Sequence, residues 1–123
     1  MALVVCTGVD EALLNTQRVI LEVAGHKVIT FTDERSLVEA LKVHSFDVAV
    51  IGQAVAARMK RRISALIREH CPAVKVLEIY VNHSGRILDD ADASMMALGD
   101  VPKDFVDRVD ELAKQGMQKQ RGA

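Results

Sequence analysis

Phe46-Asp47-Val48-Ala49-Val50-Ile51-Gly52 is the stretch that decides the fold of this 123-residue chain. Val48–Ile51 is an unbroken apolar run rich in β-branched residues, with no polar alternation. A strand written that way is covered on both faces, as strands of parallel sheets are. Gly52 ends it. Working outward, Leu3-Val4-Val5-Cys6 has the same character and stops at the turn signal Thr7-Gly8, and Lys27-Val28-Ile29-Thr30-Phe31 is a second such run. Val74–Val81 is a fourth strand and Ala93–Leu98 a weaker fifth.

Segments of helical period lie between these strands. Leu13, Leu14, Ile20, Leu21 and Ala24 form one stripe over 10–24, with Asp10 or Thr7 as cap and Gly25 where a left-handed residue closes a helix. Thr32 and Asp33 are cap candidates for a helix over 34–44, with Leu37, Val38 and Leu41 inward. A third helix, 54–70, presents Val55, Met59, Ile63, Leu66 and Ile67 and is stopped by Pro72. Arg86–Asp92 is too short and acidic for a helix. Asp100 and Pro102 open a last one that buries Phe105, Val106, Val109 and Leu112. The expected organisation is one domain over 1–115 and a polar tail over 116–123. Five strands alternating with helices predict an α/β, doubly wound parallel sheet with right-handed crossovers. Any ligand site is then expected at the C-terminal strand ends.

Composition narrows the function. Three Phe, one Tyr and no Trp leave an aliphatic core and no base-stacking surface for single-stranded nucleic acid. A net charge of −1 gives no global attraction to nucleic acid or membranes. No apolar run approaches the roughly 20 residues of a membrane span. The N-terminus reads as a strand rather than a signal peptide. Cys6 and Cys71 lack metal-ligand spacing, so reduced thiols in a cytoplasmic protein are expected.

The pattern resembles the receiver domain of bacterial response regulators, which is flavodoxin-like with strand order 2-1-3-4-5. The resemblance rests on Asp10–Leu14 through Val23-Ala24-Gly25-His26-Lys27-Val28, on Phe46–Ile51, and on Pro102-Lys103-Asp104-Phe105-Val106. It implies a phosphoacceptor Asp at the position occupied here by Gly52, which has no carboxylate. It also implies a pair of acids after the first strand to hold Mg²⁺. Cys6 and Thr7 stand there, and Asp10 reads instead as a cap. The switch Ser/Thr maps to Tyr80 and the lysine after the fifth strand to Leu98. The chain between the fourth and fifth strands lacks room for the fourth helix, so that helix is expected to be shortened or absent. A homodimer would then not use the family's geometry.

Arg58, Arg61, Arg62 and Arg68 fall near one face of the third helix, an anion or partner patch or simply a solvated face. Its contrast with Asp89, Asp90 and Asp92 suits head-to-tail association. Asn82, His83 and Ser84 form the loop placed best for a ligand or partner, or plain turn chemistry. Asp89, Asp90 and Asp92 lack the spacing of a calcium loop. No catalytic set and no metal site can be assembled from the sequence, and no cofactor is implied. The expected function is therefore non-enzymatic: a receiver-like signalling module acting through an unidentified protein partner without phosphorylation. The alternative is a small-ligand domain using the loops after the first and fourth strands.

Overall fold

The computed structural model describes residues 2–81, 83–97 and 102–121. The strands are β1 (Leu3–Thr7), β2 (Lys27–Phe31), β3 (Val48–Ile51), β4 (Lys75–Tyr80) and β5 (Ala93–Met96). They pair in parallel in the order β2-β1-β3-β4-β5, as the sequence pattern predicts. The register sets Val4 against Val28 on one side and Val48 on the other, and Ile51 against Glu78. Helices α1 (Glu11–Val23) and α4 (Pro102–Arg121) cover one face, while α2 (Glu34–Val43) and α3 (Ala57–His70) cover the other.

Alternating strand residues feed two aliphatic cores. Val4, Cys6, Val48, Val50, Leu77 and Ile79 pack with Leu14, Leu21 and Val109 on the α1/α4 side. Val5, Ala49, Ile51 and Val76 meet Leu37, Leu41, Ile63 and Ile67 on the other. Each fully buried Val, Leu or Ile contributes about 1.5–3 kcal/mol.

Local signals act as read from the sequence. Asp10 Oδ1 accepts from the Leu13 N–H (3.1 Å), and Asp33 Oδ2 accepts from that of Ser36 (2.9 Å). The Ser36 backbone hydrogen bond, with its side chain and Arg35 nearby, holds the Asp33 carboxyl below its ordinary pKa. Gly25 has φ +99°, and the His26 N–H reaches back to the Leu21 carbonyl (3.0 Å), closing α1 in a Schellman motif.

Three expectations are corrected. The third helix begins at Ala57, three residues later than its periodicity suggested, because Gly52 to Ala56 turn away from the sheet first. Its buried stripe is Lys60, Ile63, Ser64 and Ile67, which leaves Met59 and Leu66 half-exposed. The last helix does not stop before 116 but runs to Arg121. Gly116 costs a helix only about 1 kcal/mol, and the Met, Gln, Lys and Arg that follow are good helix formers. Between β4 and β5 the described residues hold a single 3-10 turn, His83–Gly85, so the short fourth-helix segment is as expected.

Candidate functional site

The C-terminal edge of the sheet gathers the loops after β1, β3 and β4. Gly52 follows β3, and its N–H donates to the Thr7 carbonyl (3.1 Å). A Cβ at position 52 would lie 3.3 Å from that same oxygen, so the strand ends approach closely where no side chain intervenes. Thr7 is buried and its hydroxyl donates to the Val50 carbonyl (3.3 Å). Cys6 is wholly buried in the α1/α4 core, and burial pushes its thiol up to about 12. It packs as a small hydrophobe and is not a nucleophile. Asp10 is exposed and engaged in capping α1. Tyr80 is half-buried at the end of β4. Leu98 lies outside the described residues. The described positions named from the family pattern are therefore divided between core, cap and strand end, and among the described residues they line no shared cavity. Among the described residues no three His, Cys, Asp or Glu side chains come together to hold a metal.

Among the described residues, the two loops expected to hold a ligand line separate spaces. Thr7, Gly8 and Val9 line a cavity of about 30 Å³ beside α2, room for a water or so. Ser84 and Gly85 line a separate space of about 310 Å³ with Gln53, Val55 and Lys60. Asn82 lies outside the described residues, and His83 is placed only through its backbone in the turn.

Lys60, on the inner side of α3, is buried at 2% exposure against a wholly buried Glu78. Its ammonium donates to Glu78 Oε2 (3.1 Å) and to the carbonyls of Ile79 (2.9 Å) and Gly85 (3.0 Å). Glu78 in turn accepts from the Ile87 N–H at Oε2 (2.7 Å) and the Leu88 N–H at Oε1 (3.0 Å). Every donor of the ammonium has an acceptor, and both carboxylate oxygens are engaged. A buried charge survives only when paired in this way. The network ties α3, β4 and both ends of the 85–88 segment together. A signal for it stood in the sequence: Glu78 interrupts an apolar central strand, and Lys60 lies three and seven residues before Ile63 and Ile67.

The basic face is likewise smaller than its composition suggests. Arg62 donates to Glu34 (2.6 Å). Arg68 donates to the Asp90 carbonyl (2.6 Å) and to Asp92 (3.2 Å). Asp92 also accepts from the Val76 N–H (2.7 Å), so it secures the β4–β5 connection rather than joining a cation site. Arg58 and Arg61 remain exposed. Of the charges expected to serve head-to-tail association, Arg62, Arg68, Asp90 and Asp92 thus have partners within the chain.

At the opposite end of the sheet, buried His26 bridges distant elements. The Ala2 N–H donates to its Nδ1 (3.2 Å), and its Nε2 lies 2.5 Å from Asp110 Oδ1 on α4. An Nδ1 that accepts fixes the ring proton on Nε2, which donates to the carboxylate. Cys71 is half-buried, with Sγ 3.7 Å from the carbonyls of Leu41 and His44.

Strand order and helix placement together define a flavodoxin-like fold of the receiver type, with the fourth-helix segment shortened. The chain superposes on the CheY-like receiver domain of a response regulator from Methanospirillum hungatei JF-1 with a TM-score of 0.77, at 16% identity over 97% of this chain and 98% of that one. A response regulator from Thermotoga maritima matches at 0.74 and 17% identity, over 93% and 98% of the two chains. NtrX from Brucella abortus, determined in complex with ADP, matches at 0.83 and 14% identity, over 98% of this chain and 29% of that one. No protein-family model matches the chain, and no curated protein matches it. At these identities the likeness is one of fold. No helix among the described residues is long and apolar enough to cross a membrane.

Proposed function

We propose that this domain is a cytoplasmic, receiver-like signalling module that acts through protein contacts, without phosphorylation and without catalysis. The observation that carries the proposal is the end of β3. Receiver domains place their phosphoacceptor Asp at the position held here by Gly52, and this glycine packs its backbone against Thr7. The neighbouring positions agree with it. Cys6 is a buried, protonated thiol, and Asp10 is a helix cap. A phosphoryl group would have neither a carboxylate to attach to nor a paired acid site for its Mg²⁺.

The Lys60–Glu78 network supports the same reading from a second direction. In a receiver that responds to phosphorylation, the segment after β4 must move between two arrangements. Here that segment is held by three hydrogen bonds, at Gly85, Ile87 and Leu88, to two buried charges that also pair with each other. A partner would meet one standing conformation, with the exposed Arg58 and Arg61 as its candidate contact.

Two experiments test this. After incubation with acetyl phosphate and Mg²⁺, the intact mass should be unchanged, and a stable phosphoryl adduct on an Asp would sink the proposal. A pull-down with Arg58→Glu/Arg61→Glu, set beside His83→Ala, should lose the partner in one variant and keep it in the other. Equal retention in both would remove these two faces as the working surface.

A further inference from the structure

We infer that the α1/α4 side of the domain holds a small-molecule site for a neutral, planar compound that carries an amide or lactam edge. The inference is independent of how position 52 is read. It starts from Gln17, which falls on the inward stripe of α1 between Leu14 and Leu21 and is 5% exposed. Its Oε1 is buried with no hydrogen-bond partner. Gln53, just past β3, has a second buried Oε1 in the same condition. Both side chains line one cavity of about 280 Å³ between α1, the ends of β4 and β5, and the start of α4.

An unpaired amide buried in a core costs about 1–3 kcal/mol, and natural folds seldom leave one without a reason. Here two share one cavity. A half-turn of a Gln amide exchanges its oxygen and nitrogen, so the feature that persists is one buried polar position on each side chain without a partner. The complement of an amide is an adjacent donor and acceptor in one plane, which is what another amide, a lactam or a heterocycle edge supplies. The walls are Ile20, Ile79, Met95 and Phe105, apolar surface suited to a flat ring, with Met sulfur available to an aromatic face. Asp104 is the one charged lining residue, and no Lys, Arg or His lines the cavity among the described residues. That charge disfavours carboxylates and phosphates. The volume lies at the small end for ligand sites and suits one or two rings.

The test uses benzamide and benzoate, which share a ring and differ in the amide against the carboxylate. Each is titrated into the ¹⁵N-labelled full chain and followed by ¹H–¹⁵N correlation spectra. Benzamide should give saturable shifts at Leu13, Gln17, Ile79 and Met95, with a Kd on the order of millimolar for a ligand of that size. Benzoate should bind at least about tenfold more weakly. Gln17→Leu and Gln53→Leu should each keep a dispersed spectrum and weaken benzamide about tenfold, the loss of one or two neutral hydrogen bonds. No saturable shift with benzamide would mean that the cavity holds only water and would overturn the inference. Equal binding of benzoate, or unchanged benzamide binding in both variants, would overturn it too.

Discussion

Replacing Lys60 by Met tests the buried ion pair directly. Met fills a similar volume and removes the charge. Glu78 would then remain wholly buried with only the Ile87 and Leu88 N–H groups facing it, while the carbonyls of Ile79 and Gly85 lose their donor. Removing one partner of such a pair costs about 3–5 kcal/mol. For a domain whose total stability is about 5–15 kcal/mol, that is a large fraction. With a urea m-value near 2 kcal/mol/M, the unfolding midpoint should fall by about 2 M. Lys60→Met/Glu78→Gln removes both charges yet keeps a carbonyl for the Ile87 or Leu88 N–H. The double variant should regain most of the loss, with a coupling energy on the order of 2 kcal/mol between the sites. Glu78→Leu, in contrast, orphans both N–H groups, and hydrogen exchange at Ile87 and Leu88 should speed up before other core amides do. The reasoning fails if Lys60→Met costs under about 1 kcal/mol, as an exposed lysine would. It fails equally if the double variant is as unstable as the two single losses added together.

Four further outcomes follow from single residues. A thiol reagent at neutral pH should label Cys71 in the folded protein and Cys6 only after denaturation; rapid native labelling of both would contradict the burial of Cys6. The Cys6 thiol is shifted from 9.0 to about 12, so in that window the unfolded chain releases a proton that the folded chain keeps. The associated stability should therefore be lost as pH rises through it, and Cys6→Val should flatten that alkaline limb of a urea-midpoint profile. Asp33 has its carboxyl lowered by the Ser36 N–H, so the stability it lends is present above the ordinary carboxylate pKa and is lost as pH falls through the lowered folded value. The stability gap between the parent and Asp33→Ala should close over that acid range, and a gap that persists unchanged would refute the assignment. Gly25→Ala should cost about 1–2 kcal/mol in thermal unfolding, because φ is +99° while a Cβ there meets nothing within 4 Å. Gly25→Asn should cost less, and a neutral Gly25→Ala would mean the helix end relaxes to another conformation.

What could be read from the sequence was the part written in local patterns. Val48–Ile51 and Leu3–Cys6 show a sheet buried on both faces because their neighbours in sequence are all apolar. Asp10, Asp33 and Gly25 act on backbone groups within five residues, so their roles needed no tertiary knowledge. The misses involve partners far away in the chain. Lys60 and Glu78 are 18 residues apart, and His26 and Asp110 are 84. Nothing local distinguishes Lys60 from Arg61 or Arg62 except its phase on the helix, which keeps it off the basic face but does not reveal its partner. Gln17, four residues from both Leu13 and Leu21, lies on the buried side by the same helical phase, although a polar residue there carries no local sign of burial.

Two pairs of buried polar side chains contrast in this domain, beside Ser64 Oγ on α3, which is also buried without a partner. Lys60 and Glu78 on the α2/α3 side are charged, fully buried and fully paired, so they fix the β4–β5 connection and ask for nothing further. Gln17 and Gln53 on the α1/α4 side are neutral, and their buried oxygens have no partner. A satisfied network raises the cost of moving the segment it holds. An unsatisfied one lowers the cost of admitting something that completes it. In the proposed signalling module, an input is therefore expected at the α1/α4 cavity, where binding would supply the missing partners. It is not expected at the end of β3, where Gly52 offers no group for an input to modify. The face carrying Arg58 and Arg61 would then be output, presented by a helix whose inner side is anchored by Lys60. The order of events can be checked by measuring partner capture with and without benzamide. Reciprocity requires that a partner whose binding changes with the ligand change the ligand's affinity by the same factor.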